Sequence, residues 1–361
     1  MIKRSELDGA VGKGILTAGQ ADALSVFLNA PSPGQPQMHD PEEVRFSRGF
    51  HDVFITIGIV CLFAGMVYGL HHVLSETLIA RGLVYGLCCL VIWLLAEWFS
   101  KRQRLALPSI VLSLLFFLSA GELGFQLFET LRPDGGFHGS FVRGMILGVS
   151  GSSHGYFAGI VSATLAIAVF YLRFRVPIAV AGIAGGIVLG FMLLLEGVIP
   201  RSVSANPELF FLISGLVCFA SAMSFDARDT RRETNNSDKA FWLHLLAAPL
   251  IVHSVLNTFI DGSGSAGSAA IVIGLVALLG FVALIVDRRA LLVSGLGYFG
   301  YAVVSLLQRA EIDTSGSIAA SLFILGLFVL MLGSGWNGAR SLVLSPLANT
   351  PLTKFVPPVR K

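Results

Sequence analysis

The sequence predicts an all-α integral membrane protein of about ten transmembrane helices, both termini cytoplasmic, with a small N-terminal cytoplasmic helical hairpin. Three observations predict it. Of 361 residues, 54% are hydrophobic and only 13% charged, with a mean hydropathy of +0.77; a domain facing water on all sides carries about 25% charged residues. Ten apolar segments are each long enough to cross a hydrocarbon core of about 30 Å, which takes about 17–25 helical residues. Lysine and arginine fall mainly in alternate connecting segments, as they do when loops alternate between the two sides of a bilayer.

The elements follow in chain order. Residues 1–30 read as a cytoplasmic hairpin: Thr17 and Gln20 have capping-box spacing and open a helix over 18–29, which Gly12 and Gly14 separate from an earlier short helix. Residues 31–51 begin with a proline-rich linker, "PSPGQPQMHDP", and end in a juxtamembrane stretch. The first apolar run starts near Asp52, later than the apolar stretch of a cleaved signal peptide, so the first span is expected to stay as an anchor. The ten spans are 52–74, 79–99, 107–128, 155–173, 177–197, 208–225, 240–259, 268–286, 290–308 and 316–334, forming a membrane domain over 52–334. None alternates with the period of two that a β-barrel strand requires. Residues 335–361 are expected to form an amphipathic, basic cytoplasmic tail, with 341–348 along the membrane surface.

Orientation comes from the 25 lysines and arginines. With the N-terminus inside, the outer segments hold only Arg81, Arg132, Arg143, Arg201 and Arg309. Every inner segment holds at least two basic residues, and a span missed or invented would break the alternation. Trp93, Trp98, Trp242 and Trp336 all stand near predicted inner boundaries. Cys61, Cys88, Cys89 and Cys218 lie inside apolar runs without CxxC or Cys/His ligand spacing, and read as small core residues.

Ionisable residues deep in a span are costly and call for an explanation. Glu97 stands one turn from Lys101 and is expected to pair with it, while Glu196, Glu208 and Asp287 sit at span ends within reach of water. Two helices differ. In the third span Ser119, Glu122, Gln126 and Glu129 recur on one face, and in the seventh His253, Asn257 and Asp261 do so, one turn after Pro249. Both stripes climb toward the outer side. They form either a shared polar cavity of Glu122, Gln126, His253, Asn257 and Asp261, or separate interhelical hydrogen bonds that only hold helices together. His244 is about 180° around the helix from His253 and reads as structural.

Other patterns are weaker. His71, His72 and Glu76 cluster at the outer end of the first span, with His138 and His154 in a long outer loop over 129–154. No spacing fixes a third ligand, so no metal, cofactor or catalytic residue is assigned. "GVSG" at 148–151 matches the short GxSG string of rhomboid-type intramembrane proteases, but one string supplies no nucleophile–base geometry. Gly182, Gly186 and Gly190 form a GxxxGxxxG stripe in the fifth span, suited to close helix packing within the bundle or to self-association.

"GILTAGQADALSVFL" near the N-terminus, "FWLHLLAAPLIVHSV" at 241–255 and "GSGWNGARSLVLSPL…FVPP" near the end resemble uncharacterised bacterial polytopic membrane proteins of a domain-of-unknown-function family with an N-terminal cytoplasmic hairpin. The resemblance implies a multi-pass protein of the bacterial inner membrane and transfers no catalytic or binding residue. Ten spans divide into five plus five, the arithmetic of inverted-repeat transporters. The function expected is transport or permeation of a small solute or ion. The alternative is a sensor or assembly protein acting through the hairpin, with an enzymatic role third. The partners expected are the lipid bilayer, a second copy of the chain, and a cytoplasmic protein at residues 1–41; nothing points to nucleic acid.

Overall fold

A computed structural model describes residue 7 and residues 11–29, 50–74, 78–132, 139–147, 153–230, 232, 234–259, 266–310, 313–346 and 356–357. The segment Met1–Glu43 is a compact unit of its own, and Val44–Lys361 is another. In the first, helix α1 spans Ala18–Asn29. Its start is a reciprocal capping box, in which the Thr17 N–H donates to Gln20 Oε1 at 2.9 Å and the Gln20 N–H to Thr17 Oγ1 at 3.3 Å.

The second unit is all-helical, with no strand among its described residues. Its helices are α2 (Phe50–Leu74), α3 (Leu78–Ala96), α4 (Ala106–Thr130), α5 (Phe141–Leu147), α6 (Ser153–Phe174), α7 (Ile178–Val198), α8 (Pro207–Arg228), α9 (Asn235–Phe259), α10 (Ala266–Val286), α11 (Ala290–Arg309) and α12 (Thr314–Leu344). A π-helical turn, Glu97–Arg102, continues α3. Among the described residues, eight helices are long and apolar enough to cross a membrane. Of the three others, α5 is a short helix, and α10 and α11 occupy the eighth and ninth apolar segments. In a bilayer the helix satisfies every backbone polar group within the segment, so an apolar run of this length has little alternative to a helix. Local signals set the ends: Pro207 sits in the first turn of α8, and Asp313 caps α12 by accepting from the Gly316 N–H at 3.1 Å.

Two cores hold most of the spans, and a third, smaller one of Phe125, Phe141 and Ile160 lies among α4, α5 and α6. Ile59, Ile92, Leu112, Phe116, Ile167, Phe170 and Ile178 pack together from α2, α3, α4, α6 and α7. Ala248, Val252, Val276, Ala283, Leu291, Ala302 and Trp336 do so from α9 to α12. The halves are not packed alike. In the first, α4 lies along α3 and α6; in the second, α9 lies along α8 and α11 and meets its chain neighbour α10 less extensively. The repeat analogy therefore finds no support in helix packing.

The glycine stripe of α7 faces α6. A Cβ on Gly186 would lie 2.1 Å from Thr164 Oγ1 and 3.1 Å from Thr164 Cβ, while Gly182 and Gly190 face Ile167 and Ile160. Turning the threonine does not help, because its Cγ2 is also only 3.2 Å away. Gly186→Ala should cost about 1–3 kcal/mol by overpacking. Gly65→Ala, with nothing within 4 Å, should instead stabilise by up to about 1 kcal/mol through helix propensity. Thermal unfolding in detergent distinguishes the two.

Several polar residues find partners far away in sequence. Glu97 pairs with Arg173 at 2.7 and 3.0 Å, not with Lys101, because the π-helical turn breaks the one-turn spacing and α6 brings the guanidinium alongside. Asp287 is buried rather than water-facing. It accepts from the Trp336 Nε1–H at 2.8 Å and pairs with Arg232 at 3.2 Å and Arg340 at 3.5 Å. These contacts carry α12 past 334 to Leu344 with Trp336 and Arg340 buried.

Candidate functional site

Helix α4 carries the most polar buried face among the described residues. Ser119, Glu122, Gln126 and Glu129 are all within 1% of complete burial. Their spacing aligns them on one side, and glycines let neighbours close over them. A Cβ on Gly124 would lie 2.3 Å from Ser162 Cβ, and one on Gly155 2.4 Å from Glu129 Oε1. The Ser162 hydroxyl reaches across to donate to the Ala120 carbonyl at 2.8 Å.

Glu122 lies eight residues before the end of α4, about 12 Å at 1.5 Å per residue. One carboxylate oxygen accepts from the Gln126 amide at 2.7 Å. The other accepts from the Ser140 hydroxyl at 2.9 Å and the Val142 N–H at 3.1 Å. Ser140 is also the N-cap of α5, accepting from the Arg143 N–H at 3.2 Å, so the carboxylate sits on the positive end of that short helix. The Gln126 amide also donates to the Gly139 carbonyl at 3.1 Å. Every donor to Glu122 is neutral, and no cation pairs with it among the described residues. Two turns further along, Glu129 does have one, Arg132 at 3.4 Å.

Helix α5 seals the site. Fully buried Phe141 fills a slot between Gly121 and Gly159, whose added Cβ atoms would approach its ring to 2.2 and 2.6 Å. Tyr156 lies against Gly144, where a Cβ would come within 2.1 Å of its hydroxyl. Part of the stretch expected as an outer loop thus folds inward as a plug. Its signal was present in "FVRGMIL", an apolar run preceded by Ser140, but too short to stand out by hydropathy. Below the plug, the Ser119 hydroxyl and Gln126 Oε1 have no hydrogen-bond partner among the described residues. The face is a ladder of oxygens: hydroxyl, carboxylate, amide, carboxylate.

The seventh-span residues lie elsewhere. His253 Nδ1 meets the Tyr298 hydroxyl of α11 at 2.7 Å, and His253 Nε2 meets the Asn257 amide at 3.1 Å. Both residues are exposed on the chain's surface. No hydrogen bond joins them to Glu122 or Gln126 among the described residues, and α4 and α9 do not pack along one another; α7 packs against both. Asp261, Glu76, His138 and the string at 148–151 lie outside the described residues. His71 makes a contact of 3.2 Å with the Tyr85 hydroxyl. Among the described residues no group of three or more His, Cys, Asp or Glu side chains is placed to hold a metal ion.

A third polar centre escapes sequence reasoning. Asp226 of α8 accepts from Arg288, whose Nε lies at 3.3 Å, and from His244 Nε2 at 2.9 Å. Arg288 is 1% exposed and donates to the Ser237 carbonyl at 3.0 Å. The partners stand 62 and 18 residues apart, so no spacing announces them. With the Asp287 cluster, this centre ties Arg232, Asp287, Arg288 and the end of α12 together.

Fold and site define an all-α membrane protein with a sealed carboxylate inside its bundle. Comparison with known protein families, curated proteins and solved structures finds no match.

Proposed function

We propose that this chain is a ten-span protein of the bacterial inner membrane, both termini cytoplasmic, that carries a small cationic solute or ion through a site centred on Glu122. The topology rests on the alternation of basic segments, and the compartment on the family resemblance. One observation carries the function: a buried carboxylate solvated only by neutral donors inside a membrane helix bundle. A charge at membrane depth costs about 2.5–3.5 kcal/mol on insertion scales. Packing alone is served by neutral residues such as Gln126.

The unpartnered oxygens of Ser119 and Gln126 flank Glu122 and match what a proton, Na⁺ or K⁺ seeks, since hard cations take oxygen ligands. Anions are disfavoured at the same place. In this reading α5 is the outer gate: as Phe141 leaves its slot, the Ser140 and Val142 donors leave the carboxylate and a cation takes their place.

Purified protein in liposomes loaded with a pH- or Na⁺-sensitive dye tests the proposal. Flux of H⁺, Na⁺ or K⁺ down an imposed gradient, above protein-free liposomes, is the expected result. No flux of any of them would overturn it. His253→Ala should leave that flux within about twofold, because His253 and Asn257 bond to α11 and not to the Glu122 face.

A second reading, a sensor or assembly protein, is favoured by the compactness of Met1–Glu43 as a separate unit. Deleting residues 1–41 distinguishes the two. Flux persists if the membrane unit is the transporter, whereas the cellular phenotype disappears if the hairpin is the working part.

A further inference from the structure

On the face where basic segments gather, a cleft of about 580 Å³ opens between the starts of three helices. The first turns of α4 and α9 line it, with Val176 and Pro177 just ahead of α7. Neither α4 nor α7 has a side-chain cap at its N-terminus. The Ala179 and Val180 N–H groups of α7 are taken by the Val176 and Pro177 carbonyls, so the cleft has the positive dipole ends of both helices and the first N–H groups of α4. Lys101, Arg104 and Arg175 also line the cleft, against one acid, Asp238. The three cations are exposed, and none is held in an ion pair among the described residues.

A further feature points to a ligand. Ser100 lines the same cleft at 9% exposure, and its hydroxyl has no hydrogen-bond partner among the described residues. An orphaned buried hydroxyl costs free energy unless something accepts or donates to it. Trp242 stands at the wall, the residue type that settles at the headgroup level of a bilayer.

We infer that this cleft binds a phosphoryl anion. Uncapped helix starts, three cations in open positions and one unused hydroxyl together fit a phosphate group, with charge met by charge and oxygens met by N–H and O–H donors. The group comes either from the head of an anionic phospholipid in the adjacent leaflet or from soluble phosphate.

The test is thermal unfolding of the whole chain in neutral detergent, titrated separately with dioleoylphosphatidylglycerol, dioleoylphosphatidylcholine and inorganic phosphate. The variant is Lys101→Gln with Arg104→Asn and Arg175→Asn. Asparagine is chosen because both arginines hold φ of +55°, which it tolerates. Phosphatidylglycerol should raise the wild-type midpoint and phosphatidylcholine should not. The variant's apparent affinity should fall by roughly 100-fold, at the usual worth of a basic residue near an anionic surface. Ser100→Ala keeps every charge and should weaken binding several-fold. Arg201→Asn, the same change at φ +67° on another connection, should leave it unaltered.

A response to phosphatidylglycerol alone assigns a lipid headgroup site, and a response to inorganic phosphate as well assigns a site open to soluble phosphate. A wild-type protein indifferent to both, or a triple variant that titrates like wild type, would overturn the inference.

Discussion

Glu122→Gln should remove cation flux while leaving the bundle folded. Glutamine keeps the shape of the side chain, and its carbonyl oxygen accepts the Ser140 and Val142 donors as the carboxylate does. The new amide would face the Gln126 amide, but Gln126 has an unpartnered Oε1 and accepts once its own amide turns over. The hydrogen-bond loss is then confined to Gln126 with the Gly139 carbonyl, about 1 kcal/mol. Only the negative charge disappears. Glu122→Ala differs in kind, since it strands the Val142 N–H and the Ser140 hydroxyl in a dry site, at about 1–3 kcal/mol for each unsatisfied group. Flux in liposomes together with the unfolding midpoint separates the two: glutamine silences a standing protein, alanine also loosens α5. Wild-type flux in Glu122→Gln would remove this carboxylate from the mechanism.

Asp226→Ala should be the most destabilising single change on the opposite face of the design, at about 3–5 kcal/mol. Arg288 would remain nearly fully buried with its charge uncompensated, keeping only the Ser237 oxygens. His244, also buried, would lose its hydrogen-bond acceptor. The double substitution Asp226→Ala with Arg288→Met should recover much of the loss, because replacing a whole buried ion pair by apolar groups is often neutral. Unfolding midpoints of the two single variants and the double variant check this. Equal losses in single and double variants would mean that the pair is not coupled.

The helices were legible because a bilayer leaves an apolar run little choice. Each of the ten apolar segments coincides with a helix to within a residue at its start or end, or lies inside one. The α4 stripe was legible as well, since Glu122 and Gln126 share a helix face whatever packs on it. Partners across helices were not. Glu97 was matched to the nearest basic residue in sequence, whereas its partner Arg173 is 76 residues away. The Asp226–Arg288 pair and the burial of Asp287 likewise depend on which helix lies beside which, and hydropathy registers polarity without naming a neighbour. The two stripes climbing the same way are compatible with a joint cavity of the third and seventh spans or with separate interhelical hydrogen bonds. Direction along the membrane normal says nothing of rotation about a helix axis, and here His253 meets Tyr298 of α11 and Asn257, while Glu122 meets Gln126, Ser140 and Val142.

The most direct test of Glu122 as a gated cation site is its rate of modification by a hydrophobic carbodiimide, read by mass spectrometry on protein in native membranes. Phe141→Ala, which empties the slot that seals α5, is the comparison. Modification should be slow in the wild type, about tenfold or more faster in Phe141→Ala, and suppressed in both by the cation that the liposomes carry. Equal rates in wild type and variant, with no protection by any cation, would contradict it and leave Glu122 as the cap of α5 alone.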